Sequence, residues 1–132
     1  MEIPKNVKVY DFPTSALWFD KDGILCSVSK KAPQQTIEES KKWMDEFYKI
    51  FGHEKHCMLI DITNASPVNK EARDYAAAEL PKVVKAIAMI SHSALGRMLI
   101  NLFFGLKPPP YPAKMFSNET EAREWLKAYC EK

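Results

Sequence analysis

The 132-residue chain is poor in glycine, with only Gly23, Gly52, Gly96 and Gly105. A loop that cradles phosphate with backbone amides needs glycines clustered at a strand-to-helix turn, so the usual nucleotide-binding loops have no place here. No G-x-S-x-G or H-E-x-x-H pattern occurs, and no catalytic residue is assigned from motif. The three cysteines, Cys26, Cys57 and Cys130, are scattered and form no C-x-x-C pair. That pattern reads as reduced, buried thiols in a cytosol. His53 and His56 have no carboxylate or cysteine at metal-ligand spacing, so neither metal nor cofactor is expected. The opening MEIPKNVKVYDF has no apolar core of a secretory signal. No run approaches the roughly 18 apolar residues that span a bilayer. The chain therefore reads as cytoplasmic, without a transmembrane segment. A formal charge of +2, with both signs interspersed, gives no footprint for nucleic acid.

Apolar residues are abundant at 46%, enough for a chain of this length to bury one core, and no linker or repeat divides residues 1–132. Val7-Lys8-Val9-Tyr10 alternates as a short edge strand before Pro13. Ala16–Phe19 and Ile24–Val28 flank Asp20-Lys21-Asp22-Gly23, whose Asp-Gly supplies a hairpin turn. Thr36-Ile37-Glu38-Glu39 is a capping box, followed by Ile37, Met44, Phe47 and Phe51 at helical spacing and a stop at Gly52. His56–Ile62 and Ala86–Ile90 are apolar on both faces, the mark of central strands covered on both sides. A second helix spans 70–80 behind Asn69, a third runs from Ser93 to about Leu106, and a fourth opens at Asn118 with Glu121 three residues on. The order β-β-β-α-β-α-β-α-β-α predicts an α/β fold: a mixed sheet with an antiparallel N-terminal hairpin, parallel βαβ units and about four helices. Pro108, Pro109, Pro110 and Pro112 lie between the third helix and the last strand and read as a stiff connector.

Loops beyond the C-terminal ends of parallel strands are the usual ligand positions in such sheets. Asp61, Thr63, Asn64 and Ser66 follow one central strand; Ser91, His92, Ser93 and Arg97 follow the next. Ser93 at a helix start and Arg97 one turn along could hold an anion, but they read more simply as an ordinary N-cap and a surface or salt-bridge residue. His92 beside Asp61 and Ser91 is the only hint of hydrolase or transferase chemistry. The third helix is apolar nearly all round. Leu95, Met98, Leu99, Leu102, Phe103 and Leu106 form a core stripe, while Ile100 and Phe104 lie on the other side with Arg97 and Asn101. That second side predicts an interface of Arg97, Ile100, Asn101 and Phe104, with a homodimer as the first choice.

The hairpin opening, Leu59-Ile60-Asp61-Ile62, Lys70-Glu71-Ala72-Arg73, Ser93-Ala94-Leu95-Gly96-Arg97, Asn101-Leu102-Phe103-Phe104, Lys107-Pro108-Pro109 and Glu124-Trp125-Leu126-Lys127 together resemble a group of uncharacterised, stand-alone bacterial STAS-like (SpoIIAA-like) domains. The resemblance covers essentially the whole chain. It implies the fold of the anti-sigma-factor antagonists and brings no established activity. Better-known members carry a regulatory serine in an Asp-Ser-Ser-Gly type motif after the central strand. Here that phosphoacceptor falls near Asn69 or Lys70, and the motif is absent; Ser66 lies nearby as Ser-Pro. The expected function is a non-enzymatic interaction or regulatory module, a homodimer with a possible regulatory protein partner. The alternative is a binding protein for a small anionic or lipid-like ligand.

Overall fold

The computed structural model describes residues 1–33, 35–65, 69–98, 100 and 108–130. Its centre is a six-stranded sheet: β1 (Tyr10–Asp11), β2 (Ser15–Phe19), β3 (Leu25–Ser29), β4 (His56–Asp61), β5 (Val84–Ile90) and β6 (Ala113–Phe116), ordered in space as in the chain. The first three strands pair antiparallel and the last three add in parallel. The mixed sheet expected from the element order is present.

Local chemistry accounts for the joints. Between β2 and β3, the Asp20 carboxylate accepts the amides of Asp22 and Ile24, and Gly23 takes φ +79°, a conformation that a side chain would strain. Helix α1 (Ile37–Phe51) opens on the expected capping box: Thr36 accepts the Glu39 amide at 3.1 Å, and Glu39 accepts the Thr36 amide at 2.9 Å. It stops at Gly52, with φ +77°. Helix α2 (Lys70–Glu79) is capped by Asn69, whose side chain accepts the Ala72 amide at 2.8 Å. A 3₁₀ turn at Leu80–Lys82 carries Pro81 at a position where no amide is needed. Helix α3 opens at Ala94 and is described over residues 94–98, with Ile100 also helical. Helix α4 (Glu119–Cys130) starts with Asn118 accepting the Glu121 amide at 2.9 Å.

Alternation along the strands sends side chains to two separate cores. On one face Leu17, Leu25, Met58, Val84 and Ile87 meet Met44, Phe47 and Phe51 of α1. Each of those large α1 side chains contributes about 2 kcal/mol by leaving water. On the other face Trp18, Cys26, Cys57, Leu59, Ala86, Ala88 and Ile90 meet Ala122 and Leu126 of α4. The small residues at 86, 88 and 122 let that helix sit close to the sheet. The proline stretch acts as a connector: the Pro112 carbonyl accepts the Ile87 amide at 2.9 Å, and Tyr111 packs at the margin of the α1 core.

The edge strand expected over Val7–Tyr10 forms instead at Tyr10–Asp11, where pairing with Leu17 and Ala16 sets it. Two further sequence expectations are corrected. Cys57 and Cys130 are not separate thiols; they form a disulfide across 73 residues of sequence. Cys57 faces the α4 side of the sheet, and the last turn of α4 brings Cys130 over it, a meeting that spacing does not encode. Cys26 is free and buried, as expected. The second correction concerns α3. Leu95 and Met98, assigned to the core stripe, are 61% and 59% exposed. Arg97 is half-buried and donates to the Ser91 carbonyl at 2.6 Å, which turns the 95/98 ridge outward. Leu99, Asn101, Leu102, Phe103, Phe104 and Leu106 lie outside the described residues.

Candidate functional site

The loops after β4 and β5 come together as the topology requires, because the two strands are neighbours and parallel. Asp61 ends β4 and is buried. One of its oxygens accepts the Met1 ammonium at 2.6 Å, and the other accepts both the amide and the hydroxyl of Thr63, at 2.9 and 2.6 Å. Burial would raise the Asp61 pKa; the hydrogen bonds from the Met1 ammonium and Thr63 outweigh it and hold the carboxyl below its usual value. The Thr63 oxygen also accepts the His92 amide at 3.4 Å, stitching the two loops together. Asn64 is tied to β3, its amide donating to the Ser29 hydroxyl at 3.1 Å.

The second loop folds upon itself. The Ser91 amide donates to the Phe116 carbonyl at 3.1 Å, and the Ser91 hydroxyl accepts the Ser93 amide at 3.2 Å. The Ser93 hydroxyl accepts the Gly96 amide at 3.1 Å, the work of an N-cap. A side chain at Gly96 would stand 3.3 Å from the Ser91 hydroxyl, so glycine lets the helix start close over the loop. Asp61, Thr63, Asn64, Ser91, His92, Ser93 and Arg97 thus lie in one region, and Ser66 lies outside the described residues. Most of their polar atoms hold the two loops in shape. Asp61 is engaged by Met1 and Thr63, so it is not the group that would orient a His92 base. His53 stacks on Tyr48 with centroids 4.2 Å apart, and His56 lies against Phe19 and Phe51. Among the described residues no three His, Cys, Asp or Glu side chains gather around a common point for a metal ion.

A concavity of about 260 Å³ lies elsewhere, along α1 and the β1–β2 turn, between Phe12 and Trp43 and rimmed by Asp11, Glu39, Lys42 and Glu46. Sequence reasoning also missed a half-buried polar cluster beside α4. Arg123 donates to Asp20 at 2.5 Å and to Glu119 at 2.7 Å, with its third nitrogen 3.8 Å from the Cys26 sulfur. Burial works against the guanidinium charge there, but Asp20 and Glu119 more than restore it and raise its pKa further. The i,i+4 spacing of Glu119 and Arg123 was the only local signal. Asp20 is 103 residues away from Arg123.

Comparison with known proteins places this geometry. The model of a family described as Domain of unknown function (DUF7793) matches residues 17–130. The chain belongs to that family. A crystal structure of an uncharacterized protein of the DUF3478 family with a SpoIIAA-like fold, from Shewanella loihica PV-4, is similar over 96% of this chain and 99% of that one. Its TM-score is 0.63 at 16% identity. This DUF7793 chain therefore has a SpoIIAA-like fold, as the resemblance implied. A protein of unknown function from Arthrobacter sp. FB24 aligns at 24% identity over 96% and 98% of the two chains, with a TM-score of 0.29. No curated protein matches the chain. Among the described residues no helix is long and apolar enough to cross a membrane.

Proposed function

We propose that this DUF7793 chain is a non-enzymatic regulatory module that pairs with a second copy of itself through the start of α3. The observation that carries this reading is the exposed ridge of Leu95 and Met98, one helical turn apart and open to solvent. Ridge and rim suit a two-fold contact, in which the same patch meets itself across an axis and polar groups such as His92 encircle an apolar centre. Half-buried Ile100 borders the patch; Arg97, bound to Ser91, stiffens it from beneath.

Two features favour an interaction role over a ligand site or an enzyme. Strand order follows chain order from β1 to β6. The sheet therefore has no reversal of strand order of the kind that opens a ligand crevice in doubly wound folds. Thr63, Ser91 and Ser93 spend hydrogen-bonding capacity on their own loops. The phosphoacceptor position of the related antagonists falls at Asn69 or Lys70. Asn69 caps α2 and Lys70 pairs with Asp74 at 2.9 Å, so regulation by phosphate at that place is not part of the proposal.

Sedimentation velocity at micromolar concentration tests it. The wild type sediments as a dimer, and Leu95→Glu with Met98→Glu as a folded monomer. A monomeric wild type, or a dimer untouched by both substitutions, overturns the reading.

A further inference from the structure

The Cys57–Cys130 bridge lies at the start of β4, the opposite end of that strand from the loops beyond Asp61. Its two cysteines differ in burial. Cys57 is buried on a strand that has neighbours on both sides, whereas Cys130 is half-buried in the last turn of α4. The rest of α4 has its own anchors. Ala122 and Leu126 are fully buried against β4 and β5, and Arg123 ties the middle of the helix to Asp20 of the hairpin. Trp125 packs against Phe116 and Tyr129, with ring centroids 5.7 and 4.8 Å apart. The bridge is thus the covalent hold on the final turn alone, and the helix does not depend on it for its place.

We propose that Cys57–Cys130 is a thiol–disulfide exchange site, opened at Cys130 by a low-molecular-weight thiol, that frees the last turn of α4 while the domain stays folded. The thiolate of the small molecule attacks the Cys130 sulfur. A mixed disulfide forms there, and Cys57 leaves as a thiolate that takes up a proton. A second small-molecule thiolate attacks the mixed disulfide; Cys130 leaves, is protonated, and the small molecule departs as its own disulfide. Two thiols are oxidised, the bridge gains two electrons, and no other reactant is needed.

The third cysteine stays out of this exchange. Cys26 lies in the same apolar cluster, but burial first, and then the charge of Asp20, push its thiol up to about 12. It remains protonated and is a poor nucleophile toward the bridge.

The purified full chain in a graded glutathione series tests the proposal. Thiols are alkylated after denaturation and counted by intact mass, and trypsin cleavage after the exposed Lys127 is followed in parallel. One alkylated cysteine is expected under oxidising conditions and three under reducing ones. Near-UV circular dichroism should be retained in both states. Cleavage after Lys127 should be on the order of tenfold faster or more in the reduced state, because the loosened turn no longer needs to break a covalent tie to open. The Cys57→Ser, Cys130→Ser double variant should be cut at the fast rate whatever the glutathione ratio. Three alkylated thiols without reductant would overturn the proposal. So would an unchanged cleavage rate, glutathione-dependent cleavage of the double variant, or loss of the near-UV signal on reduction.

Discussion

The two faces of the sheet are held in different ways. The α1 face is held by area: Phe12, Trp43, Phe47 and Phe51 pack ring on ring, with centroid separations of 4.9 to 5.4 Å. Its polar tie is slight, a contact of 3.5 Å between the Tyr48 hydroxyl and Glu79. The α4 face also buries apolar bulk, with Trp18, Leu59, Ile90 and Leu126 around the small Ala86, Ala88 and Ala122, and it is pinned at points as well. Cys57–Cys130, Arg123–Asp20 and Met1–Asp61 are spread across it, one covalent and two ionic. Apolar area is cumulative and forgiving in detail. A point anchor is all-or-none, and its loss leaves a buried or half-buried group without its partner. The α1 face is therefore held by apolar contact, and the α4 face by apolar contact reinforced at named points.

Substitutions at the two faces can break this comparison. Phe47→Ala should cost the most, about 3–5 kcal/mol in denaturant unfolding, since it empties the centre of the aromatic cluster. Arg123→Ala should cost less, about 1–3 kcal/mol, by leaving the Asp20 carboxylate without its cation. If Arg123→Ala proved the more damaging of the two in the same titration, the division into area and anchors would fall. The smallest effect should fade in acid. Asp61 has a folded-state pKa below its unfolded value of about 3.9, so its contribution to stability is fully present above that pH. It is lost as the pH falls through the lower, folded value. Asp61→Asn should therefore flatten the fall in melting temperature below about pH 4 relative to wild type. A parallel pair of pH curves would show that Asp61 is no anchor.

The same contrast explains what could be read from the chain. The α1 face was legible because its partners repeat at 3.6 and 2 residues: Met44, Phe47 and Phe51 on the helix, Met58 and Ile60 on the strand. Caps were legible too, since Thr36 with Glu39, Asn69 and Asn118 act within three residues of themselves. The anchors of the α4 face join residues 60, 73 and 103 positions apart, and no local period records them. Cysteine spacing pointed to free thiols for that reason. The loops after β4 and β5 were placed correctly, because parallel pairing forces them together. Their inner wiring was not foreseen, since it runs from backbone amides to Ser29, Thr63 and Ser91. Helix α3 exposed a limit of periodicity: a helix apolar all round has no unique inner face. A hydrogen bond from Arg97 to Ser91 decided which ridge of it met water.

Strand order along the sheet copies order along the chain from Tyr10 to Phe116. No strand has to be threaded between two that are already paired. Each new segment finds a finished edge waiting, and every pairing joins a strand to its immediate predecessor. A chain emerging from synthesis can thus lay down its hairpin first and widen the sheet one strand at a time. Helix α4 arrives last, and only then can the Arg123 tie to Asp20 close one end of the chain upon the other.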